Sequence, residues 1–421
     1  MKNDRLNQYK RAQIIHKNNQ LWPLYGAGFE NLGQAEQPIE ADLPSYGPDE
    51  LLVRHDACGL CFSDIKVINS GEAHPRIYHE DWKTNPVILG HEVALTIVGV
   101  GKNLSERYQV GERFIVQPDI YFKGIGYAYG YMIQGGLSQY NVIDHQILEG
   151  DEGSYLLKIN NPALGYAEGA LTEPWACVMA AYQLNYRTAL KAGGVTWVIG
   201  TPQAKDNYYF STGFDETNHP NTLILTNVPA PFFAWLKEKA TQLNINIIDR
   251  PSLNDNDIPP CDDIIVLGSE SDVIEAASPH LADHGILALI AQEPLNRPVN
   301  VDIGGIHYNR WTYVGSMTQD ISRAYQDHPI EAELKASGRT WIAGADGPMG
   351  QMHTQRAVQL EQPPATILCT ARRKERLPAI QDSLGDEAEA KGITLVCTTL
   401  KDDDYADTIK LSAGTGFDDV M

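Results

Sequence analysis

The sequence predicts an α/β protein that has a β-barrel-like N-terminal domain followed by two doubly wound units in tandem. Three observations support this fold class. Short β-rich runs with intervening glycines fill the region from Leu51 to about Leu157, strands alternate with helices beyond Gly193, and a second alternating series starts at Arg339. At 421 residues the chain also exceeds the size that one hydrophobic core usually supports.

The barrel-like domain is predicted from the runs LLVRHDACGLC, PVILGHEVALTIVGVG, RFIVQPDIYF and GGLSQYNVI. β-Branched and aromatic residues suit a pleated, half-buried surface, and glycine marks the turns between strands. From Asn161 to Arg187 the composition becomes helical, and NPALGYAEGALTEPWACVMAAYQL carries a wide apolar stripe. We expect this bridging segment to pack against a large apolar surface.

Two series of alternating strands and helices follow, and each predicts a parallel sheet with crossover helices. The first contains the strands VTWVIG, NTLILTN, INIID, CDDIIVLG, GILALIA and WTYVGSM, with the helices AWLKEKATQL and SDVIEAASPHLA. The second contains the strands TWIAG, ATILCTA and ITLVCTTL, the helices QMHTQRAVQL and KERLPAIQDSLGDEAEAKG, and a fourth strand within FDDVM. We expect this second unit to be incomplete, because no further elements follow its fourth strand.

Composition narrows the classes of function. The formal charge of −21 and a pI near 4.9 argue against nucleic-acid binding, which requires clustered lysine and arginine. Six cysteines are too few for a disulfide framework in a chain of this length, which predicts a reducing, cytoplasmic location. The charged N-terminus and the lack of a long apolar run predict a soluble protein without a signal peptide or membrane anchor.

Three potential metal ligands lie far apart in the sequence: Cys61 in CGLCFSD, His91 in ILGHE and Glu173 in ALTEPW. A structural zinc finger would instead show tightly paired spacing. Dispersed ligands are typical of a catalytic metal, which keeps three protein ligands and one open coordination position. A thiolate, an imidazole and a carboxylate together suit Zn²⁺.

The order of CGLCFSD, PVILGHEVALTIVGVG, YQVGERFIV and EGALTEPWACV resembles that of the zinc-containing medium-chain dehydrogenases, over roughly residues 40–325. The resemblance implies a GroES-like catalytic zinc domain over residues 1–160 and a degenerate Rossmann-like domain over 161–325. Residues 326–421 would form a second, truncated Rossmann-like domain that carries the NAD(P) site. The cysteine-rich lobe that holds a second zinc in many family members would be metal-free here, because no cysteine lies between Cys61 and Cys177.

The same resemblance implies roles for individual residues. Cys61 matches the thiolate ligand, His91 the imidazole ligand, and Glu173 the glutamate that replaces a second cysteine in polyol-type members. Cys58 occupies a position that is not a ligand in the family, and we expect it to contribute to packing. Cys177, one helical turn after Glu173, is predicted to lie in the core as well.

Three further residues match catalytic positions of the family. Ser63 resembles the hydroxyl group that relays the substrate proton towards solvent. Asp64 and Glu92 resemble carboxylates that orient the ligands and tune the charge of the metal. For Glu92 the alternatives are contact with an arginine or a water, or a place among the ligands when the substrate moves.

The usual cofactor turn of the family is altered in the first doubly wound unit. A glycine-rich turn normally follows the first strand, so that a pyrophosphate can approach a helix N-terminus. Here the position has the sequence VIGTPQAKDNYYF, in which Gly200 remains and Gln203, Ala204 and Lys205 replace the expected glycines. This unit is therefore predicted to bind a dinucleotide poorly or not at all.

The second unit has a better candidate in TWIAGADGPMGQMH, where Gly344, Gly347 and Gly350 stand between a strand and a helix. A turn that only tightens the strand–helix junction is the alternative. After the next strand, Arg372 and Arg373 stand where an NAD-preferring site usually has an acidic residue. Arginines there suit a 2′-phosphate, which favours NADP(H) slightly over NAD(H).

Together these features predict a zinc-dependent oxidoreductase that interconverts a secondary alcohol and its carbonyl form by hydride transfer with NAD(P). The substrate would be a polyol, a sugar or a sugar phosphate, and GADGPMGQMH resembles sequences in sugar-phosphate reductases of the superfamily. The alternatives are a threonine-type or amino-alcohol dehydrogenase and a catalytically silent zinc-binding relative. We also expect a homo-oligomer, a dimer or tetramer, and a cleft that brings nicotinamide and substrate into contact.

Overall fold

The structure is a computed structural model that describes residues 14, 17–78, 81–183, 187–250, 252–253, 257–326, 332–399, 410–412, 414 and 416–421. The chain forms two compact units. One combines the chain up to Tyr182 with Leu334–Met421, and the other is Gln183–Glu333. The three-domain division at residues 160 and 325 stays a prediction.

The N-terminal part of the first unit is mainly β-structure. Its strands are β1 (Asn18–Leu21), β2 (Pro23–Leu24), β3 (Ile39–Asp42), β4 (Leu51–Gly59), β5 (Val87–Ile88), β6 (Glu92–Val100), β7 (Arg113–Val116), β8 (Tyr121–Phe122), β9 (Ile125–Gly126), β10 (Tyr140–Ile143) and β11 (Leu156–Lys158). Its helices are α1 (Phe62–Ser70), α2 (His145–Leu148), α3 (Tyr166–Ala170) and α4 (Thr172–Ala180). In the part of the chain that the structure describes, every helix is too short or too polar to span a lipid bilayer.

A five-stranded antiparallel sheet in the order β10-β4-β6-β7-β11 forms the centre of this part. Its core consists of alternating side chains from these strands, such as Leu51, Val53 and Leu95. In the pairing of β4 with β6, Gly59 lies opposite Glu92. The end of β4 and the start of β6 are therefore neighbours, although Gly59 and Glu92 are 33 positions apart along the chain.

A hydrogen-bonded histidine lies within the barrel part. The Nδ1 atom of His55 lies 2.8 Å from the Ser138 carbonyl oxygen, which can only accept, so we assign the ring proton to Nδ1. The Nε2 atom then accepts a hydrogen bond from the Tyr129 hydroxyl at 2.7 Å, and Asn141 Nδ2 donates to the same hydroxyl at 3.0 Å. Burial lowers the pKa of His55 from 6.5 to about 4, although the Ser138 carbonyl opposes this shift.

The second unit contains a six-stranded parallel sheet. Its elements are β12 (Val195–Gly200), β13 (Thr222–Thr226), α5 (Ala230–Leu243), β14 (Asn246–Asp249), β15 (Cys261–Leu267), α6 (Ser271–Ala277), β16 (Leu281–Ile290), α7 (Ile303–Tyr308), β17 (Thr312–Ser316) and α8 (Ser322–Gln326). The strand order β14-β13-β12-β15-β16-β17 is that of a doubly wound dinucleotide fold. Helices α5 and α8 contribute to one core cluster of this unit and α6 to another.

The connection from β12 to β13 departs from that fold. Residues 201–221, all of which the structure describes, contain turns and bends but no α-helix. The side chains of Phe210 and Phe214 pack instead against Trp235 of α5. At the start of the connection, the Thr201 hydroxyl donates to the Leu267 carbonyl at 2.8 Å. The first strand of this sheet is therefore not followed by a helix N-terminus that could receive a pyrophosphate.

The C-terminal part of the first unit is a four-stranded parallel sheet in the order β20-β19-β18-β21. Its elements are β18 (Arg339–Ala343), α9 (Pro348–Gln359), β19 (Thr366–Ala371), α10 (Pro378–Ala390), β20 (Thr394–Thr399) and β21 (Asp419–Val420). The strands and helices lie where the sequence predicts them. In contrast to the six-stranded sheet, a helix directly follows the first strand here.

The bridging segment packs against this four-stranded sheet. Val178 and Tyr182 belong to the same buried cluster as Ile342 of β18. The Tyr182 hydroxyl is hydrogen-bonded to Nδ1 of His353 at 2.9 Å, and the Arg356 guanidinium lies 3.6 Å from the centre of the Tyr182 ring. The apolar stripe of this segment therefore contacts a large apolar surface, as the sequence predicts.

We expect the free energy of unfolding to fall as the pH decreases from about 6.5 to about 4. In this range the unfolded chain binds a proton at His55 that the folded protein, with the depressed pKa, does not bind. The neutral ring therefore contributes full stability above pH 6.5 and loses about 3 kcal/mol by pH 4. Urea unfolding across this pH range measures the slope. His55→Gln should show a shallower slope, and identical slopes in both proteins would contradict the assignment.

Candidate active site

The antiparallel pairing of β4 and β6 brings two of the predicted ligands together. Cys61 follows β4 and caps helix α1, and His91 directly precedes β6. The potential ligand atoms of Cys61, His91 and Glu92 all lie within 4.8 Å of one another. Cys61 is half-buried, whereas His91 and Glu92 are buried.

Two glycines make this approach possible. Gly90 has a φ of +95°, and a Cβ atom there would lie 2.6 Å from Cys58 Sγ and 3.0 Å from the Leu137 backbone nitrogen. At Gly59 a Cβ atom would lie 2.0 Å from Glu92 Oε2. Side chains at these positions would displace the turn before His91 or the carboxylate of Glu92.

Asp64 connects the two ligand segments. Its Oδ2 atom accepts a hydrogen bond from the Cys61 backbone nitrogen at 2.9 Å, and its Oδ1 atom lies 3.5 Å from His91 Nδ1. The carboxylate is buried, so both contacts lie in a region of low polarity. Asp64 thus fixes the start of helix α1 and directs the other ring nitrogen of His91, Nε2, towards Ser63 and Cys61.

Ser63 and Tyr131 complete the inner part of the site. Ser63 Oγ lies 3.5 Å from His91 Nε2, and the Tyr131 hydroxyl is hydrogen-bonded to Ser63. The centroids of the Tyr131 and His91 rings are 6.1 Å apart. Tyr131 was not predicted as a site residue, because one more aromatic residue in the glycine-rich segment YAYGYMIQGG gives no signal for a catalytic site.

Glu173 lies in the first turn of helix α4, beside the group formed by Cys61, His91 and Glu92 but outside it. Burial raises the pKa of Glu173. The charge of His91 opposes this shift, and the charge of Glu92 adds to it. Cys177 Sγ donates to Glu173 Oε1 at 3.6 Å. The prediction that Cys177 lies in the core is wrong, since the residue is exposed next to this carboxylate.

The electrostatics of the group favour a cation. Burial lowers the pKa of His91, but hydrogen bonds to Asp64 and Cys61 and the charges of Asp64 and Glu173 raise it to about 10. Burial likewise raises the pKa of Cys61, but its hydrogen bonds to His91 and Ser63 bring it below the ordinary value. Sulfur, nitrogen and carboxylate donors with excess negative charge fit a Zn²⁺ ion, which would relieve the repulsion between the carboxylates.

The predicted cofactor turn lies between β18 and α9. Gly344 has a φ of +70°, and the Gly347 backbone nitrogen donates to the Gly344 carbonyl at 3.0 Å. A Cβ atom at Gly350 would lie 2.4 Å from the Gly344 oxygen, so this glycine permits the close packing of helix and turn. The turn therefore has a tight geometry at the N-terminus of a 12-residue helix.

An open cleft of about 960 Å³ extends from this turn to Phe62 of the barrel part. Phe62, which directly follows Cys61 and is largely exposed, forms part of its wall. The other lining residues are Ala343, Gly344, Asp346, Gly347, Thr370, Ala371, Arg372, Arg373, Arg376 and Thr399. The cleft thus contains both predicted arginines and a third, Arg376, which the sequence analysis missed because a helical turn brings it back to the strand end.

The chain combines a barrel that carries a thiolate, an imidazole and a carboxylate with parallel sheets of the dinucleotide-binding type. This combination is the general architecture of an alcohol dehydrogenase. Comparison with known proteins agrees with this class. The model of the alcohol dehydrogenase GroES-like domain matches residues 47–149. The mannitol-1-phosphate 5-dehydrogenase of Aliivibrio fischeri is 26% identical over 348 residues, which cover 74% of this chain and 79% of that protein.

Two further relatives are named for similar substrates. The L-sorbose 1-phosphate reductase of Klebsiella pneumoniae is 28% identical over 301 residues, or 65% of this chain and 70% of that protein. The D-altritol 5-dehydrogenase of Agrobacterium fabrum is 32% identical over 162 residues, or 35% of this chain and 41% of that protein. The chain is thus similar to zinc-type medium-chain dehydrogenases, and these relatives support an oxidoreductase of the alcohol dehydrogenase type.

We expect Gly90→Ala to destabilise the protein more than Gly153→Ala. Both glycines have nearly the same φ, +95° and +97°, but a Cβ atom at Gly153 meets nothing within 4 Å. Gly153→Ala should therefore cost only the backbone strain, about 1 kcal/mol. The overlap at Gly90 should add about 1–3 kcal/mol. Urea unfolding followed by tryptophan fluorescence measures both, and equal losses would show that the turn before His91 is not tightly packed.

Proposed function

We propose that the protein is a zinc-dependent oxidoreductase that interconverts a secondary alcohol and its carbonyl form with NAD(P). The observation that supports this most directly is the shared cleft. Phe62, beside the ligand Cys61, and the glycine turn of the four-stranded sheet line the same open space. Hydride transfer requires nicotinamide and substrate carbon in near contact, and this arrangement offers both a common volume.

The ion would be held by the Cys61 thiolate and the His91 imidazole. Glu173 and Glu92 are the two carboxylates available as a third ligand: Glu173 by resemblance to polyol-type members, and Glu92 by its distance from the other two. When bound, zinc supplies a Lewis acid that stabilises negative charge on the substrate oxygen, and the dinucleotide carries the hydride.

The residues of the chain account for orientation and for proton movement. Asp64 holds the Cys61 backbone and faces His91, which keeps both donors in place. The Ser63 hydroxyl lies between His91 Nε2 and the Tyr131 hydroxyl. Ser63 is partly exposed, so its hydroxyl can take the proton of a substrate hydroxyl and release its own proton to solvent, while the buried Tyr131 hydroxyl holds it in place.

The four-stranded sheet is the better candidate for the cofactor site. The six-stranded sheet has no helix after its first strand, whereas α9 begins directly after the Gly344–Gly347 turn. Main-chain nitrogens at that helix start can bind a pyrophosphate. Arg372, Arg373 and Arg376 at the same cleft suit the 2′-phosphate of NADP(H).

The substrate class follows from the relatives. The named ones act on polyols and polyol or sugar phosphates, which favours these over an amino alcohol. A catalytically silent relative remains the competing function, because the six-stranded sheet has lost its cofactor turn. Dinucleotide binding by the four-stranded sheet separates the two functions.

The metal assignment predicts that Cys61→Ser and His91→Gln lose zinc. Removing a direct ligand should weaken zinc binding by more than the roughly 10–100-fold that loss of an outer partner causes. Asp64→Asn should fall within that smaller range, because Asp64 contacts His91 and the Cys61 backbone without joining the group. Competition with a chelator, followed by elemental analysis, gives the affinities.

Cys397→Ser provides the matched control, since this half-buried thiol lies on β20, outside the ligand group. It should retain the zinc content of the wild type. If Cys61→Ser and Cys397→Ser bind zinc equally well, Cys61 is not a ligand and the proposed metal site is wrong.

The cofactor assignment predicts that NADPH binds and that the cleft arginines select it. Arg372→Gln combined with Arg376→Gln should weaken NADPH binding at least about tenfold, because a charge-assisted contact to phosphate contributes about 1.5–3 kcal/mol. NADH binding should change less than about threefold, because NADH lacks the 2′-phosphate. Titration by nicotinamide fluorescence measures both constants.

Gln203→Ala, in the altered turn of the six-stranded sheet, is the control and should leave both constants unchanged. Binding of neither NADPH nor NADH to the wild type would support the silent relative instead. Loss of binding in Gln203→Ala but not in the arginine variant would place the cofactor in the other sheet.

A further inference from the structure

A small basic cluster lies beside the ligand group of this otherwise acidic protein. His74 and Arg76 both lie against the Tyr131 ring, and burial, together with the charges of Arg76 and of Lys66 on helix α1, lowers the pKa of His74. The chain has a net charge of −21, and Asp119 pairs with Arg76, so this is a small group of basic side chains within an acidic protein. A cation cluster of this kind attracts an anionic group.

Arg76 is the best-positioned member of the cluster. Its guanidinium lies 5.7 Å from the centre of the Tyr131 ring, and Nη2 donates to Asp119 Oδ1 at 2.6 Å. These two contacts fix the plane of the guanidinium. Among the residues that the structure describes, which exclude 79 and 80, no acceptor contacts its remaining N–H groups. The side chain is 42% exposed, so these donors are accessible.

Tyr131 connects Arg76 to the reacting end of the site. Its ring lies 6.1 Å from the His91 ring on one side and 5.5 Å from the His74 ring on another, and its hydroxyl bonds to Ser63. A substrate whose alcohol carbon lies at Ser63 and His91 therefore has to extend past Tyr131 to reach Arg76. The basic cluster is thus at the distal end of an elongated substrate.

We propose that Arg76 is a binding residue for a phosphate monoester on the substrate, at the end opposite the reacting carbon. This inference rests on the proposed function and specifies its substrate class. A guanidinium binds phosphate oxygens through two parallel N–H groups, and Arg76 has such donors free while Asp119 holds it in position. Two cationic groups, the Arg76 guanidinium and the Lys66 ammonium, suit a dianion better than the single charge of a carboxylate, and a neutral polyol end needs neither of them.

The test compares mannitol 1-phosphate with mannitol as substrates of the zinc-loaded, full-length protein. Arg76→Gln should lower kcat/KM for the phosphorylated substrate by about 10–100-fold, as expected for loss of a charge-assisted contact. The kcat/KM for mannitol should change less than about threefold. An equal loss for both substrates, or for a sugar acid and the phosphate ester alike, would overturn the inference.

Arg107→Gln is the matched control. Arg107 lies 5.5 Å from the centre of the Tyr108 ring and 3.6 Å from Glu149 Oε1, and its side chain is 50% exposed, so it resembles Arg76 in its surroundings. The variant should leave kcat/KM for both substrates unchanged. Arg76→Lys should restore part of the affinity for the phosphorylated substrate, because it keeps the charge and loses the fork of donors.

Equilibrium binding of mannitol 1-phosphate, measured by calorimetry, makes the result independent of turnover. Arg76→Gln should weaken this binding at least about tenfold relative to the wild type and to Arg107→Gln. No binding by the wild type, or equal Kd values in both variants, would overturn the inference. Arg76-dependent binding without turnover of any alcohol would support the phosphate subsite and contradict the proposed oxidoreductase function.

Discussion

The antiparallel register of β4 and β6 is the constraint on which the site depends. Because Gly59 lies opposite Glu92, the chain segments that carry Cys61 and His91 leave the sheet at the same edge. Asp64 then connects the two segments through one carboxylate. Backbone pairing therefore determines where a thiolate and an imidazole meet, and the buried acid adjusts how they face each other.

The site also depends on the packing of the bridging segment against the four-stranded sheet. Helix α4 carries Glu173 at one end, and Val178 shares a buried cluster with β18 and α9. The element that carries Glu173 beside the ligand group thus also belongs to the core of the sheet with the glycine turn. Phe62 of the barrel part and a sheet that begins only at Arg339 line one cleft.

Much of the fold was predictable because its strands are continuous apolar runs bounded by glycine. VTWVIG and ATILCTA are buried on both faces of parallel sheets, and this environment permits few other residue types. No helix was predicted in residues 201–221, and the structure has none there, but the packing of Phe210 and Phe214 against Trp235 was not predictable. The sequence showed only that the glycines of the turn had been replaced.

Site residues that lie within a continuous motif were predictable, whereas residues that join the site only through tertiary contacts were not. CGLCFSD and ILGHE are continuous segments, so Cys61, Ser63, Asp64 and His91 could be selected from the sequence. Tyr131 and Arg76 take part only through tertiary contacts with those segments, and single aromatic or basic residues in loops give no pattern. Cys177 was misjudged because helical spacing from Glu173 does not show which side of the helix is covered.

The absence of a helix in residues 201–221, all of them described, has a consequence for how the sequence can change over evolution. A dinucleotide-binding turn tolerates few substitutions because backbone must approach a ligand closely. A sheet without such a turn needs only to keep its interior filled, as Phe210 and Phe214 do against Trp235. Two sheets within one chain can in this way diverge at different rates when the backbone of only one of them has to approach a ligand.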